Sequence, residues 1–220
     1  MATSTVEDYL KCIHREQRLG EGRLVSTGKI AREMGVAPGT VTAMMKTLTE
    51  TGLVEYEPYM GVQLTEQGYK LATHVLRRHR LVELFLVNIM EMDWSWVHEE
   101  AEILEHAVSD RLIDRMDEML GHPTVDPHGD PIPSAAGQLE ESDDPNLLAC
   151  RMNCDLRITR VTDQRSEFLQ LLEQHQLMPG RRATVEQRDE LTETVQVKPD
   201  GAESLRLGFQ AASRILVARV

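Results

Sequence analysis

The sequence predicts a mainly helical protein with a winged helix–turn–helix at its start and a small β-barrel at its end. Three observations carry this. The first 65 residues show three helical periodicities followed by a hairpin pattern. The middle third keeps apolar residues at helical spacing. The tail consists of short alternating stretches separated by turn residues.

Taken in order, residues 6–16 place Val6, Tyr9, Leu10 and Ile13 on one helical face. A second helix covers 26–34, with Ser26 or Thr27 as N-cap, Ile30, Ala31 and Met34 facing inward, and Gly35 ending it. Pro38 suits a first helical turn, Val41, Met44, Met45 and Leu48 continue at helical spacing, and Gly52 closes that helix. Residues 53–57 and 62–65 flank a turn containing Pro58 and Gly61, the pattern of a β-hairpin wing. A helix–turn–helix followed by such a hairpin is far more specific than any of its parts. Three further helices are expected over 66–90, from Ser95 or Trp96 to residue 108, and from the cap Ser109 to Gly121. Four prolines and two glycines then exclude regular structure over 121–133, and 134–146 is acidic. Strands are expected over 157–161, 183–186, 194–197 and 215–217, a short helix over 168–175, and turns at Pro179-Gly180 and Asp200-Gly201. Several short strands in so small a tail suggest a barrel. The expected domains are 1–73, 74–133 and 149–220, with 134–148 as linker.

The chain of 220 residues carries 24 Lys/Arg against 36 Asp/Glu, a net charge of −12. That excess is local. Residues 1–73 hold 8 basic and 9 acidic side chains, 151–220 hold 11 and 10, and 74–150 hold 5 and 17. Such a carboxylate concentration repels itself unless cations neutralise it. It is either a solvated acidic surface or a divalent-cation site. No run approaches the roughly 18 apolar residues of a membrane span, and the N-terminus has no basic region followed by an apolar one. A cytoplasmic protein without a membrane partner is expected. Cys12, Cys150 and Cys154 are too few and too irregular for a disulfide framework, and read as reduced thiols.

The second helix of a helix–turn–helix presents its N-terminal side chains to the major groove. Here those are Pro38, Gly39, Thr40 and Thr42. The threonines offer hydroxyls and methyls, while Pro38 and Gly39 offer apolar contact and close backbone approach. Thr27, Lys29 and Lys46 complete the candidate DNA-binding set, the lysines as phosphate contacts. The local basic excess is modest, so a dimer spanning two half-sites of duplex DNA is expected. Winged helices also serve as protein-interaction modules, which leaves a second reading open.

His79 and Glu83 are four apart on one expected helix; His98, Glu102, Glu105 and His106 share about a third of the circumference of the next. Three histidines and three carboxylates converging in this way point to a metal site. Two enzyme templates fail on spacing. The run from His98 lacks the second histidine of a zincin helix, and Glu102 and His106 are four apart where a di-iron bundle needs three. No nucleophile triad or phosphate loop is visible, so no enzyme and no small organic substrate is expected. A winged-helix regulator of a small organic effector, with structural histidines, is the alternative.

The sequence resembles the diphtheria-toxin-repressor family of metal-dependent regulators, which includes manganese transport regulators. The resemblance spans the chain. It is carried by the winged helix, Arg77-Arg78-His79-Arg80-Leu81-Val82-Glu83, Val97-His98-Glu99-Glu100-Ala101-Glu102-Ile103-Leu104-Glu105-His106, His128-Gly129-Asp130-Pro131-Ile132-Pro133, and the tail. It implies an SH3-like tail domain and a homodimeric repressor that binds operator DNA when metal is bound and controls metal homeostasis. It further implies a primary metal site of Asp8, Glu102, Glu105 and His106. An ancillary site would use His79, Glu83 and His98, assisted by Gln164 and Glu167 of the tail. Iron-type members carry methionine and cysteine where this chain has Asp8 and Glu102. Carboxylates there favour Mn(II), with Fe(II) as the alternative because His98 and the tail resemble the iron-type branch.

Overall fold

The structure, a computed structural model, describes residues 3–20, 23–140 and 142–220. Met1, Ala2, Glu21, Gly22 and Glu141 lie outside the described residues, and with them part of the sequence-based readings of the N-terminus and of the acidic linker. The chain divides into two compact units, Met1–Arg78 with Pro133–Leu139, and His79–Ile132 with Glu140–Val220.

The first unit holds α1 (Ser4–Leu19), α2 (Thr27–Glu33), α3 (Pro38–Glu50), the hairpin β1 (Val54–Glu57) and β2 (Gly61–Leu64), and the start of α4 (Glu66–Asn88). Ser26 is the N-cap of α2: its backbone is extended and its Oγ accepts from Lys29 N at 3.3 Å. Pro38 occupies the first turn of α3, whose N-cap Ala37 offers no side chain. β1 and β2 pair from Val54↔Leu64 to Glu57↔Gly61, and Val25 adds a bridge to Val62. Gly61 is required there, because a Cβ would lie 2.7 Å from the Val25 carbonyl oxygen. Leu10, Ile13, Ile30, Val41, Met45, Leu48 and Val62 form the core. Part of the expected linker, Pro133–Leu139, belongs to this unit, with Gly137 close against Thr73.

The second unit contains the rest of α4, α5 (Val97–Leu104), α6 (Asp110–Met119) and the tail. Leu81, Val82, Val97, Ala101, Ile113 and Ile132 pack the helices together. α5 is shorter than expected. It ends at Leu104, and Glu105 and His106 lie in the following turn, from which the chain redirects through the extended Ser109 into α6. The tail folds as β3 (Leu156–Val161), α7 (Ser166–Gln174), β4 (Arg182–Asp189), β5 (Thr194–Pro199), β6 (Leu205–Gly208), α8 (Phe209–Ala212) and β7 (Ile215–Arg219). The sheet is antiparallel, in the order β6-β5-β4-β3-β7. Register shifts in β3 and β4 give it the bends an SH3-like fold needs. β6 and α8 were not legible in the sequence. Each is only four residues long, too short for a periodicity to register. The inner face of the sheet, with Leu169 and Leu172 of α7 and Trp94 from the helical part, forms a second core. Gly129 fixes the 121–133 loop on this sheet. At φ +84° it sits where a Cβ would fall 2.0 Å from the Thr159 carbonyl oxygen, and His128 O accepts from Val161 N at 2.8 Å.

Candidate metal centre

α4 projects His79 and Glu83 from one face, α5 supplies His98 and Glu102, and the turn after α5 supplies Glu105 and His106. Glu83 Oε1 lies 3.0 Å from His79 Nε2 and 3.1 Å from His98 Nδ1, and the two imidazole nitrogens are 3.1 Å apart. On its other side His79 Nδ1 meets Glu105 Oε2 at 2.5 Å and Glu102 Oε1 at 3.7 Å. Glu102 Oε1 is also 3.7 Å from His98 Nε2, and His106 Nε2 is 3.5 Å from Glu105 Oε1. His79 therefore stands between the two ligand sets that the sequence suggested. Glu83 is 1% exposed and Glu105 0%, so two carboxylates are held out of water.

That burial is costly without compensation. Burial by itself would raise the Glu83 carboxyl, but His79, His98 and His128 outweigh it and hold the group below the usual carboxylate range. The spacing fits a cation. Adjacent donors of an octahedral ion with bonds of about 2.1 Å lie roughly 3.0 Å apart, as Glu83 Oε1, His79 Nε2 and His98 Nδ1 do. The donors are imidazole nitrogen and carboxylate oxygen. Among the described residues no cysteine joins any such cluster, and all three cysteines are free thiols.

The structure adds two residues that sequence reasoning missed. Asp126 and His128 come within reach of Glu83, and Glu83 Oε2, Asp126 Oδ2 and His128 Nδ1 are all buried without a hydrogen-bond partner. Burial, then Asp130 and Glu83, push the Asp126 carboxyl well above its ordinary value, with Arg80 offsetting part. His128 is fixed by Nε2 against Trp94 O at 3.0 Å and by stacking on the Trp94 ring. The signal available was the Asp126-Pro127-His128 string itself, but its distance along the chain from Glu83 hid the contact.

Gln164 and Glu167 do not join the cluster. Gln164 Nε2 donates to Asp130 Oδ2 at 2.8 Å. Glu167 is exposed in the first turn of α7, where the helix dipole favours a carboxylate. Asp8 lies on α1 in the first unit. Of the candidate DNA contacts, Pro38, Gly39, Thr40 and Lys46 are exposed on α3 and Thr27 is half-buried on α2. Thr42, half-buried, donates its Oγ–H to the Pro38 carbonyl at 3.1 Å. Lys29, a candidate phosphate contact, makes an ion pair with buried Glu16 at 2.5 Å, because that carboxylate has to be neutralised where it sits.

A winged helix in one unit and a polydentate imidazole–carboxylate cluster in the other are the features of a metal-dependent regulator. Comparison with known proteins agrees along the chain. Residues 1–62 match the iron-dependent repressor N-terminal DNA-binding domain, 65–134 its metal-binding and dimerisation domain, and 146–219 the FeoA domain. The diphtheria toxin repressor of Corynebacterium glutamicum is 32% identical over 79% of this chain and 77% of its own length. The iron-dependent repressor IdeR of Mycobacterium tuberculosis is 29% identical over 98% and 97%. A solved manganese-dependent transcriptional repressor in complex with manganese is 37% identical, covers 98% of this chain and 100% of its own, and superposes with a TM-score of 0.86. ScaR with bound Cd2+ is 33% identical, covers 98% and 99%, and gives 0.81. The chain belongs to the diphtheria-toxin-repressor family of metal-dependent transcriptional repressors, regulators and not enzymes.

Proposed function

We propose that this chain is a repressor activated by Mn(II), with Fe(II) as the alternative ion, and that it binds operator DNA as a homodimer to control metal homeostasis. The observation that carries the reading is the mutual 3.0–3.1 Å spacing of His79 Nε2, Glu83 Oε1 and His98 Nδ1, with Glu105 on the other nitrogen of His79. A nitrogen–oxygen donor set without thiolate suits Mn(II) and Fe(II).

Glu102, Glu105, His106 and Asp8 form the regulatory set in this reading, and His79, Glu83 and His98 the ancillary one. A bound divalent cation supplies the positive charge that these carboxylates lack. Asp8, on the first helix of the DNA-reading unit, otherwise repels Glu102 and Glu105. Neutralising that repulsion favours the arrangement in which both winged helices of a dimer fit successive major grooves, a selection by differential affinity. Gly39 and Thr40 then face base edges, and Lys46 faces phosphate. The dimer reading rests on exposed apolar side chains. Trp96 and Ile103 are 62% and 69% exposed and seven apart, and Leu112 and Met119 on α6 repeat that spacing. Such paired stripes suit an isologous contact with a second copy.

The test uses a duplex enriched by in vitro selection against the Mn(II)-loaded full-length protein. Fluorescence anisotropy is read while Mn(II), Fe(II), Co(II) and Zn(II) are titrated. Tight binding is expected only with metal, and Asp8→Ala and Glu102→Ala each weaken the metal response at least tenfold. Equal binding by chelator-stripped protein overturns the proposal. Full metal response in both variants overturns the Asp8 bridge.

A further inference from the structure

The outer face of the tail sheet carries a charge arrangement that metal-dependent repression does not use. Arg157 of β3 and Arg182 of β4 are direct cross-strand partners. Both are exposed, as are Arg181 beside them and Lys198 of β5, which pairs with Thr184 two residues along β4 from Arg182. Among the described residues none of these four cations makes an ion pair. Like charges directly opposite on neighbouring strands destabilise a sheet, and a chain with a net charge of −12 has carboxylates to spare. Four cations without an ion pair, two of them directly opposite each other, break a local rule of sheet pairing. Such places are where function is expected.

Three of the four, Arg181, Arg182 and Lys198, also line two hollows, and Arg157 is the cross-strand neighbour of Arg182. A cavity of about 320 Å³ is walled by Arg182, Lys198 and Thr184, with Asp155 and Asp200 also at its edge. A second of about 250 Å³ shares Arg182 and Asp200 and adds Arg181. The turns at Gly180 and Gly201 border these hollows, and a Cβ on either glycine would meet nothing within 4 Å, so the approach is open.

We infer that this face binds phosphate oxyanions. Guanidinium groups from adjacent strands present forks that match phosphate oxygens bidentately, Lys198 adds a point charge, and Thr184 adds a hydroxyl. A ligand with two or more negative charges relieves the Arg157–Arg182 repulsion, which a neutral ligand does not. The site lies within the tail domain and is independent of the metal centre. The phosphate belongs either to a soluble phosphate ester or to the backbone of duplex DNA.

The experiment uses full-length metal-free protein and two probes, pyrophosphate by calorimetry and a 20-base-pair duplex of unselected sequence by anisotropy. Succinate serves as a carboxylate control. Saturable pyrophosphate binding is expected, at least tenfold weaker in Arg182→Gln and in Lys198→Gln, with succinate at least tenfold weaker than pyrophosphate. Removing one of two facing charges should also raise the thermal midpoint of ligand-free Arg182→Gln above wild type. Pyrophosphate should raise the midpoint of wild type but not of that variant, so loss of binding is separable from loss of fold. If the variants lose pyrophosphate alone, a soluble ester is the source; if they lose both probes, the DNA backbone is. Absence of saturable pyrophosphate binding, equal binding of succinate, or variants that bind as well as wild type overturns the inference.

Discussion

The imidazole of His79 uses both nitrogens, one toward Glu83 and His98, the other toward Glu105 and Glu102. Its ring links the two carboxylate groups, so His79→Ala should weaken Mn(II) binding at both ligand sets. Calorimetry should show two altered binding steps, and a single altered step would contradict the link. Glu83 gives a pH prediction. Its carboxyl is held below the ordinary range by neighbouring imidazoles. A depressed folded-state value contributes stability above the unfolded value, lost as pH falls through the depressed one. In metal-free protein, Glu83→Gln should therefore be least stable relative to wild type above about pH 4.3, the ordinary glutamate value. The gap should close toward more acidic pH. Thermal melts across that range decide it, and a gap that widens on acidification would contradict the assignment. Gly129 makes a purely steric case. With φ at +84° and the Thr159 carbonyl where a Cβ would sit, Gly129→Ala should cost about 3 kcal/mol or more in chemical unfolding.

At the level of the element, α3 separates stability from function. Its buried face of Val41, Met45 and Leu48 locks it into the first core, while Pro38, Gly39 and Thr40 stay exposed. A Cβ on Gly39 would meet nothing within 4 Å, so the fold does not need glycine there. Gly39→Ala should raise stability by up to about 1 kcal/mol while weakening operator binding, because the methyl projects from the surface proposed to face the bases. Operator affinity unchanged alongside a raised thermal midpoint would remove Gly39 from the interface. α1 and α2 are coupled through Glu16, which takes Lys29 at 2.5 Å, and through Arg15 and Glu33 at 2.6 Å. The periodicities of all the longer helices could be read directly, since each has one apolar face and a recognisable start or stop. The end of α5 was misread because residues 105–108 keep an amphipathic composition after the backbone has left the helix.

At the level of the whole molecule, assembly is the open prediction. Sedimentation should give twice the chain mass for wild type. Ile103→Asp should shift the protein to monomer with its helical content intact, because a charge replaces an exposed apolar side chain and no core contact is removed. A dimer unchanged by that variant would place the interface elsewhere. The winged helix, the helical middle and the strand-rich tail could all be read from the amino-acid order alone. So could the acidic middle third and the spacing of His79 with Glu83 and of His98 with Glu102, because these follow from periodicity, turn chemistry and separation along one chain. Folding in three dimensions was needed to show that His79 joins both ligand sets, that Asp126 and His128 reach Glu83, and that Asp130 holds Gln164 while Glu167 stays exposed. The same holds for the ion pair of Lys29 with Glu16 and for Arg157 facing Arg182 across two strands. These are contacts between residues far apart in sequence. They depend on which elements pack together and in which register, and burial then forces each charged group to take whichever partner the packing leaves within reach.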